Sequence, residues 1–179
     1  GHYNVLNATC AIALALELGI SENQIISSLN SFKGIKRRFS YQIDNENMIY
    51  IDDYAHHPEE INKVFDSLKN IYPNDKLTVI FQPHLYSRTR DLAEDFATAL
   101  SQFDAVILLE IYPAREIPIK GISSEWLLEK IDSNYKTISR KSDISDHIKN
   151  IGYRVNITLG AGDIANEVEH IKQELEYAY

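Results

Sequence analysis

From about residue 39 onward, short apolar runs rich in β-branched residues alternate with segments whose apolar residues recur at helical spacing. This alternation limits the possible folds more than any other feature of the chain. The strand candidates cover residues 39–44, 48–52, 77–82, 105–110, 135–139 and 153–159. Between them, Ile61, Val64, Phe65, Leu68 and Ile71 form one helical face, Leu92, Phe96 and Leu100 a second, and Ile164, Val168, Ile171 and Leu175 a third. Asp44-Asn45-Glu46-Asn47 is a turn sequence, so the first two runs are predicted to pair as a hairpin, with the first strand an antiparallel edge. The remainder reads as strictly alternating strand and helix. That pattern predicts an α/β, doubly wound, mostly parallel sheet of about six strands, with right-handed crossovers and helices on both faces. Ligands of such sheets bind beyond the carboxyl ends of the strands.

The first thirty-odd residues stand outside this alternation and read as two helices. The apolar stretch 8–16, closed by Glu17, predicts a buried helix, and Ser21 with Gln24 three residues on has the spacing of a capping box. A stretch of nine residues falls far short of the roughly 20 needed to span a membrane. A chain that opens on Gly1-His2-Tyr3-Asn4, with neither Met nor a leader, is expected to be part of something longer, its first helices the tail of a preceding domain. Cys10 is the only cysteine, so no disulfide framework is expected and a reducing cytoplasm is the default setting. The net charge of −8 argues against a general nucleic-acid surface despite the basic cluster at 33–38, and any anionic ligand must be bound locally.

Two strand-to-helix junctions carry most of the reactive side chains. In the first, Asp52-Asp53-Tyr54-Ala55-His56-His57-Pro58-Glu59-Glu60, proline favours the first position of a helix. His57 is then the predicted cap, Glu59 and Glu60 lie in the first turn, and Asp53 and His56 point from the loop. One reading is a capping histidine beside a solvated aspartate. A metal site is the other, but the stretch holds few ligands and lacks the spacing of a zinc helix.

The second junction is Gln82-Pro83-His84-Leu85-Tyr86-Ser87-Arg88-Thr89-Arg90. With Ser87 as the predicted cap, Arg88 and Arg90 fall in the first turn, where the helix dipole disfavours a cation by roughly 0.3–1 kcal/mol. A guanidinium set against the dipole is explained by a bound anion, with His84 in reach of the same ligand. The competing explanation is a surface ion pair to Asp91 or Glu94.

Gly160-Ala161-Gly162-Asp163-Ile164-Ala165 has the Gly-x-Gly-x-x-Ala form of a dinucleotide fingerprint, but it comes after the last strand and no ribose-binding acid lies downstream. A tight strand-to-helix turn is the favoured reading. Asn4 and Asn7 sit one helical turn apart, which by spacing alone is a polar edge on an apolar helix.

Taken together these segments resemble the Mur ligases. The resemblance rests on Gly1-x-x-Asn4-x-x-Asn7, Phe32-x-Gly34 with Arg37-Arg38-Phe39, the Asp52–Pro58 string, Phe81-Gln82-Pro83-His84-x-Tyr86-Ser87-Arg88-Thr89, Ile111-Tyr112-Pro113-Ala114 and Gly160-Ala161-Gly162-Asp163-Ile164. Six weak motifs in one register, running from Gly1 to the final helix, make a specific pattern, and it is most similar to the alanine-adding branch of the family. The resemblance implies a Rossmann-like carboxyl-terminal domain over 37–179 that brings the amino acid, preceded over 1–36 by the last helices of a central ATP-binding domain. It also implies that the whole enzyme uses ATP and Mg²⁺ to activate the carboxylate of UDP-N-acetylmuramate for attack by L-alanine, in peptidoglycan precursor synthesis in the bacterial cytoplasm.

By the same resemblance Asn4 and Asn7 lie near the adenine, Arg38 reaches the phosphates and Asp53 meets the nucleotide when the domains close. His56, His84 and Arg88 line the alanine end, with Tyr54 and His57 secondary. The phosphate-binding loop, the magnesium ligands and the UDP-binding domain of the family are absent from the 179 residues, so this stretch alone is expected to be inactive and to hold no tightly bound cofactor. Tyr3 stands where the family has histidine, Leu85 where it has an arginine of the amino-acid site, and Arg115, in place of a glycine, is a candidate to restore that charge. Two other readings compete: a peptide-recycling member of the same family, and a free-standing nucleotide-binding module supported only by residues 160–165.

Overall fold

The computed structural model describes residues 2–177, which fall into two compact units, Gly1–Lys36 and Arg37–Tyr179. Gly1 and the Tyr3 side chain, both singled out by the sequence motifs, lie outside what is described. The first unit is a pair of helices, α1 (His2–Glu17) and α2 (Glu22–Ser31). Ser21 starts α2 as expected, its backbone N–H and hydroxyl both donating to Gln24 Oε1 at 3.2 and 2.7 Å. The expectation that the apolar stretch of α1 is buried is not met. Val5, Leu6, Leu14 and Leu16 are exposed, and α2 has no buried residue. Apolar composition specifies that a face can be covered, not that this chain covers it.

The second unit is the doubly wound sheet. Its strands are β1 (Ser40–Asp44), β2 (Ile49–Asp53), β3 (Leu77–Phe81), β4 (Ala105–Leu108), β5 (Tyr135–Ile138) and β6 (Val155–Leu159), in the spatial order β1-β2-β6-β3-β4-β5. Only β1 is antiparallel, paired with β2 across a turn in which Asn45 Oδ1 accepts the N–H groups of Asn47 and Met48 at 2.9 and 2.8 Å. All six strand candidates and the antiparallel edge are therefore present.

Every residue of β2, β3, β4 and β6 is buried, as expected of strands sandwiched between helical layers. Alternate residues point to opposite faces. Ile51, Val79, Phe81, Leu108, Ile157 and Leu159 pack with residues of α3 (Pro58–Ile71), α5 (Ala93–Leu100) and α6 (Ser124–Lys130). Tyr50, Ile80 and Ile107 pack with α7 (Ile144–Ile151) and α8 (Val168–Glu176).

Two helical faces differ from expectation. Ile71, the last residue of α3, is 46% exposed, while the following Tyr72 packs against the core in its place. The segment from Tyr86 breaks at Leu92 into α4 (Tyr86–Asp91) and α5, although Leu92 still packs on the same core as Phe96 and Leu100. Among the described residues no helix is long and apolar enough to cross a membrane.

The α3 face offers a direct check of where the core stops. Ile61→Ala, at a fully buried site, is expected to lower the free energy of unfolding by about 2–5 kcal/mol. Ile71→Ala is expected to change it by no more than about 0.5 kcal/mol. Urea unfolding monitored by circular dichroism distinguishes the two.

Candidate functional site

The carboxyl ends of β2, β6, β3 and β4 lie in one row, since Asp53 pairs with Leu159, Leu159 with Phe81, and Phe81 with Leu108. The loops beyond these strands emerge side by side. They bring Tyr54 and His56 from the first junction beside His84 from the second. The Tyr54 and His56 rings meet edge-on with centroids 5.2 Å apart, the His56 and His84 rings lie 6.1 Å apart, and His84 stacks on Tyr112 at 5.7 Å. Arg37 and Arg38 sit over the outer side of Tyr54, at 5.2 and 5.9 Å from its centroid.

His57 is the helix cap, as predicted. Its Nδ1 accepts the Glu59 N–H at 3.4 Å, while Glu60 Oε2 accepts the N–H groups of His57 and His56 at 3.2 and 2.9 Å. His57 is thereby committed to α3. His56 Nδ1 lies 3.0 Å from the Tyr54 carbonyl and 3.3 Å from Glu60 Oε2, two acceptors that favour a proton on that nitrogen.

Asp53 departs from expectation. It does not point from the loop but is the last residue of β2, buried, with Oδ2 accepting the Phe39 N–H at 2.6 Å and Oδ1 the Ala55 N–H at 2.8 Å. Burial pushes its carboxyl above the usual aspartate value against the pull of those two bonds. Arg38 is exposed, whereas its neighbour Arg37 is structural. Arg37 Nε pairs with buried Asp52 at 3.0 Å, and its Nη2 donates to the Gly160 carbonyl at 2.6 Å. Arg37 was not singled out by sequence because nothing local distinguishes it from Arg38.

The second junction is corrected in its cap. Helix α4 begins at Tyr86, and the residue before it is Leu85, held at φ 73°, so Ser87 is the second residue of the helix. The cap comes from far away in sequence. Glu116 accepts the Ser87 N–H at 2.9 Å and the Ser87 hydroxyl. These bonds, and another from the Tyr86 N–H, hold its carboxyl below the usual glutamate range.

Arg88 remains in the first turn, and its Nη1 is buried without a hydrogen-bond partner, as is His84 Nδ1. The ion-pair explanation applies to Arg90 alone, which meets Asp91 at 2.7 Å; Glu94 pairs with Lys130. Burial and the charge of Arg88 lower the pKa of His84, with Glu116 pulling the other way, so its imidazole is neutral at pH 7. Arg88 Nη1 and His84 Nδ1 are thus two buried side-chain nitrogens in this segment that the protein itself leaves without a partner.

The glycine turn is structural. A Cβ on Gly162 would collide with Gln82 Oε1 and approach the Tyr112 ring to 2.8 Å, which leaves no room for a pyrophosphate. Gln82 closes the turn by donating to Asp163 Oδ1 at 2.7 Å and accepting the Ile164 N–H at 2.9 Å, while Lys141 pairs with Asp163. The turn leads into a short 3₁₀ segment, Asp163–Asn166, and not into the N-terminus of a long helix. Arg115 is exposed, so Glu116 is the member of that loop that reaches α4. Asn4 and Asn7 lie exposed on α1, in the other unit. Among the described residues no group of three or more His, Cys, Asp or Glu side chains could hold a metal ion.

The family model described as Mur ligase, glutamate ligase domain, matches residues 37–165. A UDP-N-acetylmuramate–L-alanine ligase from Christiangramia forsetii is 53% identical over 175 residues, covering 98% of this chain and 39% of that protein. The crystal structure of UDP-N-acetylmuramate–alanine ligase from Thermotoga maritima superposes with a TM-score of 0.78 at 28% identity, over all of this chain and 39% of that one. A murein peptide ligase from Psychrobacter arcticus shares the fold, with a TM-score of 0.65 at 24% identity, over 98% of this chain and 37% of its own. The chain thus spans about 39% of the length of the curated relatives it matches.

His84 is the group whose titration reports on the site. It is expected to titrate below the ordinary histidine value of about 6.5, to move up in Arg88→Ala and to move further down in Glu116→Gln, as read from its imidazole proton shifts. Because the unfolded chain binds this proton more tightly, His84 makes stability fall as pH drops through about 6.5.

Proposed function

Because the chain belongs to the Mur ligase family, we propose that it is the carboxyl-terminal part of a UDP-N-acetylmuramate–L-alanine ligase acting in peptidoglycan precursor synthesis in the bacterial cytoplasm. In the proposed reaction ATP phosphorylates the muramoyl carboxylate, releasing ADP. The alanine amine then attacks the acyl phosphate carbonyl, an amide bond forms as the carbon–oxygen bond to phosphate breaks, and the amine gives up a proton. The observation that carries the reading is the pair of unpartnered buried nitrogens, Arg88 Nη1 and His84 Nδ1, at the carboxyl ends of a sheet whose relatives bear that name.

In this reading Arg88 binds the α-carboxylate of alanine, and His84 and His56 line the same space. Tyr54 closes one side under Arg37 and Arg38. His57 contributes indirectly, by capping the helix that begins at Pro58, two residues after His56. Arg38, exposed, reaches toward the phosphates. Asp53, with both oxygens engaged by backbone N–H groups, shapes the entry segment at Phe39 on the nucleotide side. Asn4 and Asn7 are assigned to the adenine.

The described residues do not make a magnesium site, so Mg²⁺, which the family implies, is assigned to the remainder of the longer protein and enters no step given to these side chains. Carboxylate activation needs groups outside this chain, and the chain by itself is expected to be inactive.

The test uses the full-length enzyme and measures phosphate release that depends on ATP, Mg²⁺ and UDP-N-acetylmuramate, with L-alanine, glycine, L-serine or a tripeptide as acceptor. Alanine-stimulated turnover is expected. In Arg88→Ala the alanine KM is expected to rise about 10- to 150-fold, the equivalent of losing one charged hydrogen bond of about 1.5–3 kcal/mol. Turnover with the tripeptide alone moves the protein to the peptide-recycling branch, and no turnover with any acceptor overturns the ligase reading.

A further inference from the structure

The loop after β4 is stitched to the segment that carries His84 and Arg88 at two separate points. At its near end, Tyr112 donates its N–H to the Pro83 carbonyl at 2.8 Å, accepts the Leu85 N–H at 2.9 Å, and lays its ring against His84. The loop then turns back through Ala114, at φ 51°, with the Glu116 N–H bonded to the Pro113 carbonyl at 2.8 Å. At its far end the Glu116 carboxylate takes the Ser87 N–H and hydroxyl and the Tyr86 N–H.

Helix α4 has only six residues and breaks at Leu92, too short to hold its own shape in water. Ahead of it Leu85 has an unfavourable left-handed conformation and an apolar side chain that caps nothing. Two bonds within the segment help: the Leu85 carbonyl accepts the Thr89 N–H at 3.1 Å and its hydroxyl at 2.8 Å. The first-turn N–H groups before Arg88, however, depend on Glu116.

We infer that Glu116 is a positioning residue of the amino-acid site: by bonding to Tyr86 and Ser87 it fixes the first turn of α4 and so aims the Arg88 guanidinium at the substrate carboxylate. The inference rests on the ligase reading above and extends it to a residue that touches no reacting atom. It also accounts for how the Glu116 carboxylate is spent within the protein while Arg88 Nη1 has no partner. The carboxylate is occupied by the helix start, and the guanidinium stays available for a carboxylate that arrives from solution.

The experiment compares Glu116→Ala, Glu116→Gln and Arg88→Ala in the full-length enzyme, with KM measured separately for L-alanine, ATP and UDP-N-acetylmuramate. Glu116→Ala removes the acceptor, and the alanine KM is expected to rise about tenfold, with the other two KM values and kcat at saturating alanine within about twofold of the parent. Glu116→Gln keeps a carbonyl oxygen for the Ser87 N–H and is expected to restore the alanine KM to within about threefold. The inference is overturned if Glu116→Ala leaves the alanine KM unchanged, if all three KM values rise together, or if Glu116→Gln is as impaired as Glu116→Ala. Arg88→Ala separates the two levels. If it too leaves the alanine KM unchanged, the carboxylate reading fails; if it raises KM while Glu116→Ala does not, only the positioning role fails.

Discussion

The parallel register at the carboxyl edge of the sheet is the constraint on which the site depends. Asp53, Leu159, Phe81 and Leu108 end their strands on one row, so four loops leave the sheet at the same height within the strand spacing of about 5 Å. A one-residue slip of β3 against β6 would turn Phe81 from the core to the opposite face and move His84 by about 3 Å. The fully buried faces of these strands forbid that slip. Core packing and site geometry are therefore one specification, since the residues that set register are the apolar ones and the residues that benefit are the polar ones just beyond them.

At that edge charges are sorted by whether the protein itself satisfies them. Asp52 is paired with Arg37, both oxygens of Asp53 accept backbone N–H groups, Asp163 is held by Gln82 and Lys141, and Glu116 is held by the start of α4. Every one of these carboxylates is committed. Arg88 Nη1 and His84 Nδ1 are not, and both are buried. A buried ion pair is weak evidence for stability, because desolvation offsets most of its attraction. Its service here is geometric: Arg37 ties the end of β2 to the turn after β6, and Glu116 ties the loop after β4 to the helix after β3.

How much of this was legible in the sequence depends on the range of each interaction. The strands, the hairpin and the cap at His57 rest on neighbours within a few residues or on burial periodicity, and the sequence shows them directly. The cap at α4 does not. Ser87 has the composition of a cap, but the acceptor that reaches the helix start belongs to Glu116, twenty-nine residues later, and no local rule anticipates it. Asp53 was misplaced because an acidic residue at a strand end is usually solvated. Here the entry segment, with Arg37 and Phe39 at positive φ, folds its N–H groups onto the carboxylate. Gln82 escaped notice for a similar reason, since its role is to fill the space that Gly162 leaves open.

The two unpartnered nitrogens carry an energetic consequence. Each buried polar group without a partner costs about 1–3 kcal/mol, more for a charged one, a large fraction of the roughly 5–15 kcal/mol by which domains are stable. The core compensates with four strands buried on both faces. In the proposed reading a carboxylate that bonds to Arg88 Nη1 recovers part of that loss on binding, because that nitrogen is already withdrawn from water. A lone guanidinium on a flexible surface helix would have to shed water and lose rotamer freedom when the ligand arrived, and its net gain would be smaller. By the resemblance noted above, Leu85 stands in place of a second arginine, which would make this preorganisation more consequential. With one guanidinium in place of two, affinity would depend on how well that one is held, and the contact that fixes the start of its helix is the carboxylate of Glu116.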